Sequence, residues 1–407
     1  PVIELNRHGW LNHPFLVVCK SIYGMIDKPI SITHGHRVTD LPFLYKGTFQ
    51  NLLLDWYDQN KREMPWRDCD NPYKIWVSEI MLQQTRVDQA TPYFNRFMEH
   101  FPTVHDLAEA DQQEVLKVWE GLGYYSRARH LHASAKLVVD EFDGKVPDNW
   151  DDITELKGVG PYTASAVLSI AYQKKHAVVD GNVIRVLSRY LGIENDVRST
   201  STKNTIQDAA DDLISEERPG DFNQSVMELG ATICTPSNPD CEKCPIQANC
   251  VAYKTAKTEE IPYKSSAKKR PHHNIGVGIV LNEAEEVLIA LRPDDAMLGG
   301  MWEFPGGKQE EDEDVEYTVK RELKEELDID VSISKPFMKL DHAYSHFKIT
   351  LHAYLCELAN GTPKPKLSQE IRWIAIDELK DYPFPKANRK LTEKLMNLDK
   401  GQQELQI

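Results

Sequence analysis

Residues 156–167, "LKGVGPYTASAV", set two glycines one residue apart, then a proline and a run of small residues. Gly158 and Gly160 permit backbone geometry and close approach that a Cβ would forbid. Pro161 suits the first position of a helix, which "YTASAVLSIAY" continues. Amides exposed at a helix N-terminus bind an anion without needing a cationic side chain. The stretch therefore reads as a tight hairpin between helices, suited to a nucleic-acid phosphate. A plain helix–helix turn has the same local signature.

Outward from this hairpin, the text from Thr48 to about Tyr253 is helical. Apolar residues recur at three- and four-residue spacing in "FQNLLLDWYDQN", "YKIWVSEIMLQQTRV" and "EVLKVWEGLGYYSRARHLHASAKLVVDEF". Pro65, Pro72, Pro102, Pro147 and Pro161 fall where helices start or stop. An all-α domain of roughly ten helices is expected over residues 47–253. Residues 254–273, "KTAKTEEIPYKSSAKKRPHH", lack an apolar period and read as an exposed linker. Beyond them "NIGVGIVL", "EVLIAL", "SHFKITLHAYLCEL" and "IRWIAI" are β-like, with one helix, "DEDVEYTVKRELKEEL", among them. A separate α+β domain is expected over 274–407. Residues 1–46 have weak periodicity and read as an extension of unassigned role.

Composition is that of a folded chain: 41% hydrophobic and 27% charged over 407 residues, a length that suggests two or three domains. No run approaches the ~20 apolar residues that span a bilayer. Phe15–Val18 is too short for the core of a secretory leader, so a cytoplasmic location is expected. The formal charge of −15 argues against nucleic-acid binding through bulk charge. Residues 47–257 carry 22 basic and 32 acidic side chains, a net of −10. Any such binding must use a local cationic groove and backbone amides.

Four of the seven cysteines crowd into residues 234–250, while Cys19, Cys69 and Cys356 are scattered. That remainder does not suit a secreted disulfide framework; a reducing compartment and one metal site fit better. Cys234, Cys241, Cys244 and Cys250 are separated by six, two and five residues. Structural zinc sites usually pair two C-x2-C hairpins, and here there is one. Spacing favours a single iron–sulfur cubane over zinc, with reactive free thiols a third reading.

Two carboxylates stand out only in context. Glu79 lies on a mostly apolar helix, "YKIWVSEIMLQQTRV", and Asp180 precedes Gly-Asn in "HAVVDGNVIRVLSRY". Taken alone, the first reads as a partly exposed acid and the second as a helix cap or turn residue.

The whole pattern resembles a known family. "LKGVGPYTA" is similar to the L-P-G-V-G-x-x-T-A hairpin of helix-hairpin-helix DNA glycosylases, with Lys157 in place of proline. C-x6-C-x2-C-x5-C after "FNQSVMELGATIC" resembles their 4Fe–4S loop, whose cationic side chains approach the DNA backbone; only Lys243 lies inside it here. "WVSEIMLQQT" and "VVDGNVIRVLSR", with "MPWR", "GLGYYSRARHLH" and "FPTVHDLA", resemble the adenine DNA glycosylases of the MutY family. The similarity covers most of the chain from about residue 48.

The resemblance implies an all-α helix-hairpin-helix glycosylase domain with a 4Fe–4S cluster on the four cysteines, and a Nudix-like α+β C-terminal domain. It implies a monomer that binds duplex DNA and excises adenine opposite 8-oxoguanine or guanine. Glu79 matches the general acid and Asp180 the carboxylate that stabilises the transition state. Arg62, Trp66 and Arg67 would line the base pocket; Gln84 and Tyr124 would wedge into the duplex. Thr85, Leu122, Gly123, Gly158, Gly160, Tyr162, Asn182 and Gln224 fall on positions implied to bind DNA or substrate. Breaking an N-glycosidic bond leaves positive charge on the sugar and negative charge on the base, so an acid and an ionised carboxylate in different environments suit it. The target must first be everted from the duplex.

Endonuclease III carries a catalytic lysine two residues after the second hairpin glycine, where this chain has Tyr162. Without that amine a Schiff-base route is closed, and a monofunctional glycosylase is expected. Thymine-removing relatives also vary at this position, so a thymine glycosylase stays open.

"GGKQEEDEDVEYTVKRELKEELDI" resembles the Nudix box. Gly307, Glu313, Arg321, Glu322, Glu325 and Glu326 match, and Asp328 stands where glycine is usual. Glutamates so spaced can gather Mg2+ for pyrophosphate hydrolysis. In adenine glycosylases this domain instead reads 8-oxoguanine, and "HAYSHFK" is similar to the recognition loop. Ser345 matches the serine that contacts the oxidised base, flanked by Tyr344 and His346. A nucleotide hydrolase with a DNA-tethering domain and a catalytically silent mismatch binder are the rival classes.

Overall fold

The computed structural model describes residues 46–266, 270–344 and 346–404. Ser345 and nearly all of the N-terminal extension, Cys19 included, lie outside them. Twelve α-helices precede the sheet among the described residues, rather than ten, because short connecting turns proved helical: α1 (Lys46–Asn60), α2 (Pro72–Leu82), α3 (Val87–His100), α4 (Val104–Glu109), α5 (Gln112–Trp119), α6 (Ser126–Glu141), α7 (Trp150–Glu155), α8 (Pro161–Tyr172), α9 (Gly181–Leu191), α10 (Thr200–Leu213), α11 (Pro219–Thr232) and α12 (Val251–Lys254).

The helices build two cores. One gathers Trp76, Phe97, Trp119, Leu131 and Val167 from α2 to α8; the other gathers Phe49, Leu187, Ile206 and Leu229 from α1 and α9 to α11. The cleft described below lies where they meet.

The C-terminal part is one seven-stranded sheet: β1 (His272–Leu281), β2 (Val287–Leu291), β3 (Trp302–Glu303), β4 (Gly306–Lys308), β5 (Asp330–Ala343), β6 (Lys348–Asn360) and β7 (Glu370–Ile374). Its main path runs β3-β2-β1-β6-β5, with β1 and β6 parallel. Along β2, Val287 and Ile289 face one core and Leu288 the other, as the strand period of two requires. Helix α13 (Val315–Leu327) covers one face through Val319, Leu323 and Leu327.

Three expectations need correction. β5 escaped sequence reading because Pro336 and polar residues interrupt its alternation; register shifts flank the proline. A second helix, α14 (Lys386–Glu404), covers the other face with Ala387, Leu391 and Leu395, its apolar stripe too sparse to stand out. The linker is not wholly exposed: Ile261 is buried, and its carbonyl accepts from Arg189 Nε at 2.8 Å.

The sheet docks on the helices through the 293–301 loop. Met301 is fully buried in the helical core, Gln113 Nε2 donates to Gly300 O at 2.9 Å, and Arg129 donates to the carbonyls of Gly299 and Asp294.

Candidate active site

Helix α2 begins at Asn71, whose side chain accepts from the amides of Tyr73 and Lys74, with Pro72 at its first position. Ile75, Trp76, Val77, Ile80 and Met81 are buried around Glu79, leaving that glutamate only 5% exposed. Neither bland reading of the acids therefore holds in full: Glu79 is not a partly exposed acid, and Asp180 is a cap that also lines a cavity. Burial, with Asp180 nearby, pushes the Glu79 carboxyl up to about 7 against the pull of one hydrogen bond.

That bond comes from the hairpin. Gly160 caps α8, Pro161 follows, and Tyr162 in the first turn donates from its hydroxyl to Glu79 Oε2 at 3.1 Å. Only one hairpin glycine is conformationally required. Gly158 has φ +82 and a Cβ there would sit 3.0 Å from His130 Cβ, whereas Gly160 has φ −90 and open space where a Cβ would be. The space beside Gly160 is open, and its conformation is one that any residue adopts.

Asp180 caps α9. Its Oδ1 accepts from the amides of Asn182 and Val183 at 2.8 and 2.7 Å, and its Oδ2 from Asn182 Nδ2 at 2.8 Å. Burial raises this carboxyl from its ordinary value, opposed by those three donors and by Arg185. Three N–H groups and a helix N-terminus favour its ionised form, a support Glu79 lacks.

Both carboxylates line one cavity of about 420 Å³ with Tyr162, Asn182, Arg62, Trp66, Arg67, Thr85 and Gln224. That is room for a nucleobase and its sugar. Sequence reasoning missed Glu228, on the same wall. Only 2% exposed, it pairs with Arg62 Nε at 2.6 Å and Arg67 Nη2 at 3.0 Å, which hold its carboxyl below the usual range against burial. Its signal was an acid inside the apolar pattern of "FNQSVMELG".

Other expected residues stand outside the cavity. Gln84 and Tyr124 are exposed at the tips of two loops, with left-handed φ of +57 and +52. Gly123 adjoins Tyr124 with φ +83. Leu122 departs from expectation: it is 3% exposed within the helical core, so only its backbone could face a duplex. Tyr344 and His346 lie in the loop joining β5 and β6, where Tyr344 packs on Phe347 at 4.9 Å and His346 is exposed.

The four clustered cysteines line a second, small cavity with Arg189, Ile233 and Pro239. Among the described residues, no group of three or more His, Cys, Asp or Glu side chains is arranged to hold a metal ion. In the Nudix-like box, Arg321 binds Glu313, Glu322 and Glu325 at 2.8–3.1 Å. Burial, with Glu303 and Glu322 nearby, pushes Glu326 up to about 8. Asp328 ends α13 with φ +62, the conformation that makes glycine usual there.

Residues 77–211 match the HhH-GPD superfamily base excision DNA repair protein family, and residues 276–394 match the NUDIX domain. The adenine DNA glycosylase of Homo sapiens is 34% identical over 402 residues, covering 84% of this chain and 73% of its own length. The chain belongs to the adenine DNA glycosylase family. The Mus musculus adenine DNA glycosylase is also 34% identical, covering 89% of this chain and 80% of its own. Among solved structures, a thermostable thymine-DNA glycosylase is 30% identical and covers 53% of this chain and 100% of its own, with a TM-score of 0.48. The adenine DNA glycosylase relatives extend across both the helices and the sheet, which ties the two-part fold to that family. No helix among the described residues is long and apolar enough to cross a membrane.

Proposed function

We propose that this chain is a monofunctional base-excision glycosylase that everts adenine from duplex DNA, opposite 8-oxoguanine or guanine, and hydrolyses its N-glycosidic bond. One observation carries the reading: the carboxyls of Glu79 and Asp180 line a single cavity of nucleoside size, with three N–H donors on Asp180 and a single hydroxyl on Glu79. Glu79, near neutrality in its proton affinity, gives its proton to adenine N7. The bond electrons leave with the base. Asp180, whose three donors favour its ionised form against burial, faces the positive charge left on the sugar. Water supplies the oxygen at the anomeric carbon, and its proton passes to a carboxylate. Tyr162 fixes one Glu79 oxygen and leaves no amine for a covalent intermediate.

In this reading the hairpin amides at Gly158 and Gly160 hold a phosphate, Gln84 and Tyr124 enter the duplex, and the 344–346 loop reads the opposite base. Cys234, Cys241, Cys244 and Cys250 would hold a 4Fe–4S cluster. They share one cavity, and Arg189, 2% exposed, donates to Cys234 Sγ at 3.3 Å, a buried cation suited to a ring of thiolates. A bound cluster would brace this loop and take no part in base release.

The deciding experiment compares base release from A·8-oxoguanine, A·G and T·G duplexes, with iron measured on the same sample and borohydride trapping alongside. Adenine release without a cross-link is expected. Preferential thymine release, or an efficient cross-link, would overturn the reading.

A further inference from the structure

Helix α6 carries an arginine that none of the chemistry above uses. Arg127 is 7% exposed, and its partners are carbonyls and one hydroxyl; no carboxylate joins them among the described residues. Nη1 donates to the carbonyls of Ile80, Met81 and Gln83 at 2.9, 2.8 and 2.7 Å. Nη2 reaches Thr85 Oγ1 at 3.3 Å and Gly123 O at 2.9 Å, and Nε reaches Tyr124 O at 3.4 Å. The guanidinium also lies over the rings of Trp119 and Tyr124, 5.4 and 5.3 Å from their centroids.

These partners belong to two stretches of chain, residues 80–85 and 123–124. Ile80 and Met81 close the last turn of α2, the helix that carries Glu79, where exposed carbonyls attract a cation. Gln83 and Thr85 flank Gln84. Gly123 and Tyr124 form the other exposed tip. Both tips have left-handed non-glycine residues, a conformation that persists only when its surroundings impose it. Gln83 Nε2 extends the connection to Thr163 Oγ1 in α8 at 3.1 Å. A buried cation costs folding stability when no anion neutralises it. One planar fork here spends its donors on joining two loops and a helix end.

We propose that Arg127 is a positioning residue that locks the Gln84 and Tyr124 tips into one duplex-opening unit and fixes that unit to the helix bearing Glu79. Opening the duplex and presenting the acid are thereby set by the same side chain. The inference rests on the reading that residues 84 and 124 enter DNA. Lysine cannot substitute, because a point donor does not span both loops as the fork does.

The test places 2-aminopurine at the target position opposite 8-oxoguanine and reads its fluorescence rise, with adenine release measured in single turnover and the thermal midpoint recorded. For Arg127→Lys we expect the rise and the release rate to fall together by about a hundredfold, with duplex affinity kept within about threefold. In an Arg127→Lys/Tyr124→Ala double variant the two losses should not multiply, since both act through one unit. Independent losses, or a folded Arg127→Lys with wild-type fluorescence, would overturn the inference. If Arg127→Lys does not fold, Thr85→Val removes one end of the fork, and an unchanged fluorescence rise there overturns it equally. Tyr124→Ala alone tests the underlying reading: unchanged opening in that variant removes residue 124 from the duplex and the inference with it.

Discussion

Glu79→Gln separates the chemistry of the acid from the cost of burying it. In the folded chain its carboxyl is raised from its ordinary 4.5 to about 7, chiefly by burial. A factor of ten in proton affinity is about 1.4 kcal/mol, so holding this group ionised costs about 3 kcal/mol of folding stability. The sign follows from which state holds the proton. Between pH 4.5 and 7 the folded chain is protonated and the unfolded chain is not, so stability falls as pH rises through that window. Glutamine never ionises, keeps the shape and still accepts from the Tyr162 hydroxyl. The variant should therefore melt several degrees above the parent at pH 8 and alongside it at pH 4.5. Its base release should fall by about 10²–10⁴, the usual share of a general acid. The parent's single-turnover rate should in turn drop tenfold per pH unit above about 7. Melting curves at the two pH values and a quench assay on A·8-oxoguanine duplex measure all three. A variant less stable than the parent at pH 8, or a parent rate that climbs from pH 7 to 9, would refute the assignment of a neutral acid.

Other perturbations probe the remaining parts. Asp180→Asn keeps an N-cap acceptor, so α9 should lose only a few tenths of a kcal/mol of stability while base release falls about 10²–10³ in single turnover. Gly158→Ala forces a Cβ into a left-handed residue 3.0 Å from His130 Cβ and should cost more than about 1 kcal/mol in thermal unfolding. Gly160→Ala should fold normally and lose only duplex affinity in a titration. Cys244→Ser should lower both iron content and the thermal midpoint; full iron occupancy would remove that cysteine from the cluster. Met301→Asp buries a charge in the helical core and should lower the thermal midpoint by several degrees.

The chain's text settles much of the architecture. The hairpin, the change from helical to strand periodicity after residue 273, and the four-cysteine spacing are local patterns, set by φ/ψ preference, apolar period and ligand count. Residue types also close one route outright, since tyrosine at 162 provides no amine. Where pattern was interrupted, as at Pro336 in β5 or along the polar α14, it could not be read, because packing against the sheet rather than propensity makes those elements. Tertiary structure alone decided the surroundings of the two acids that the resemblance had named. Glu79 and Asp180 lie a hundred residues apart, on helices from two different cores, and their proton affinities follow from burial and from which donors face them. Glu228 and Arg127 became visible for the same reason. A charged side chain inside an apolar helix gives no sign of its partners, because electrostatic energy depends on distances through space and on exclusion of water, neither of which is written along the chain.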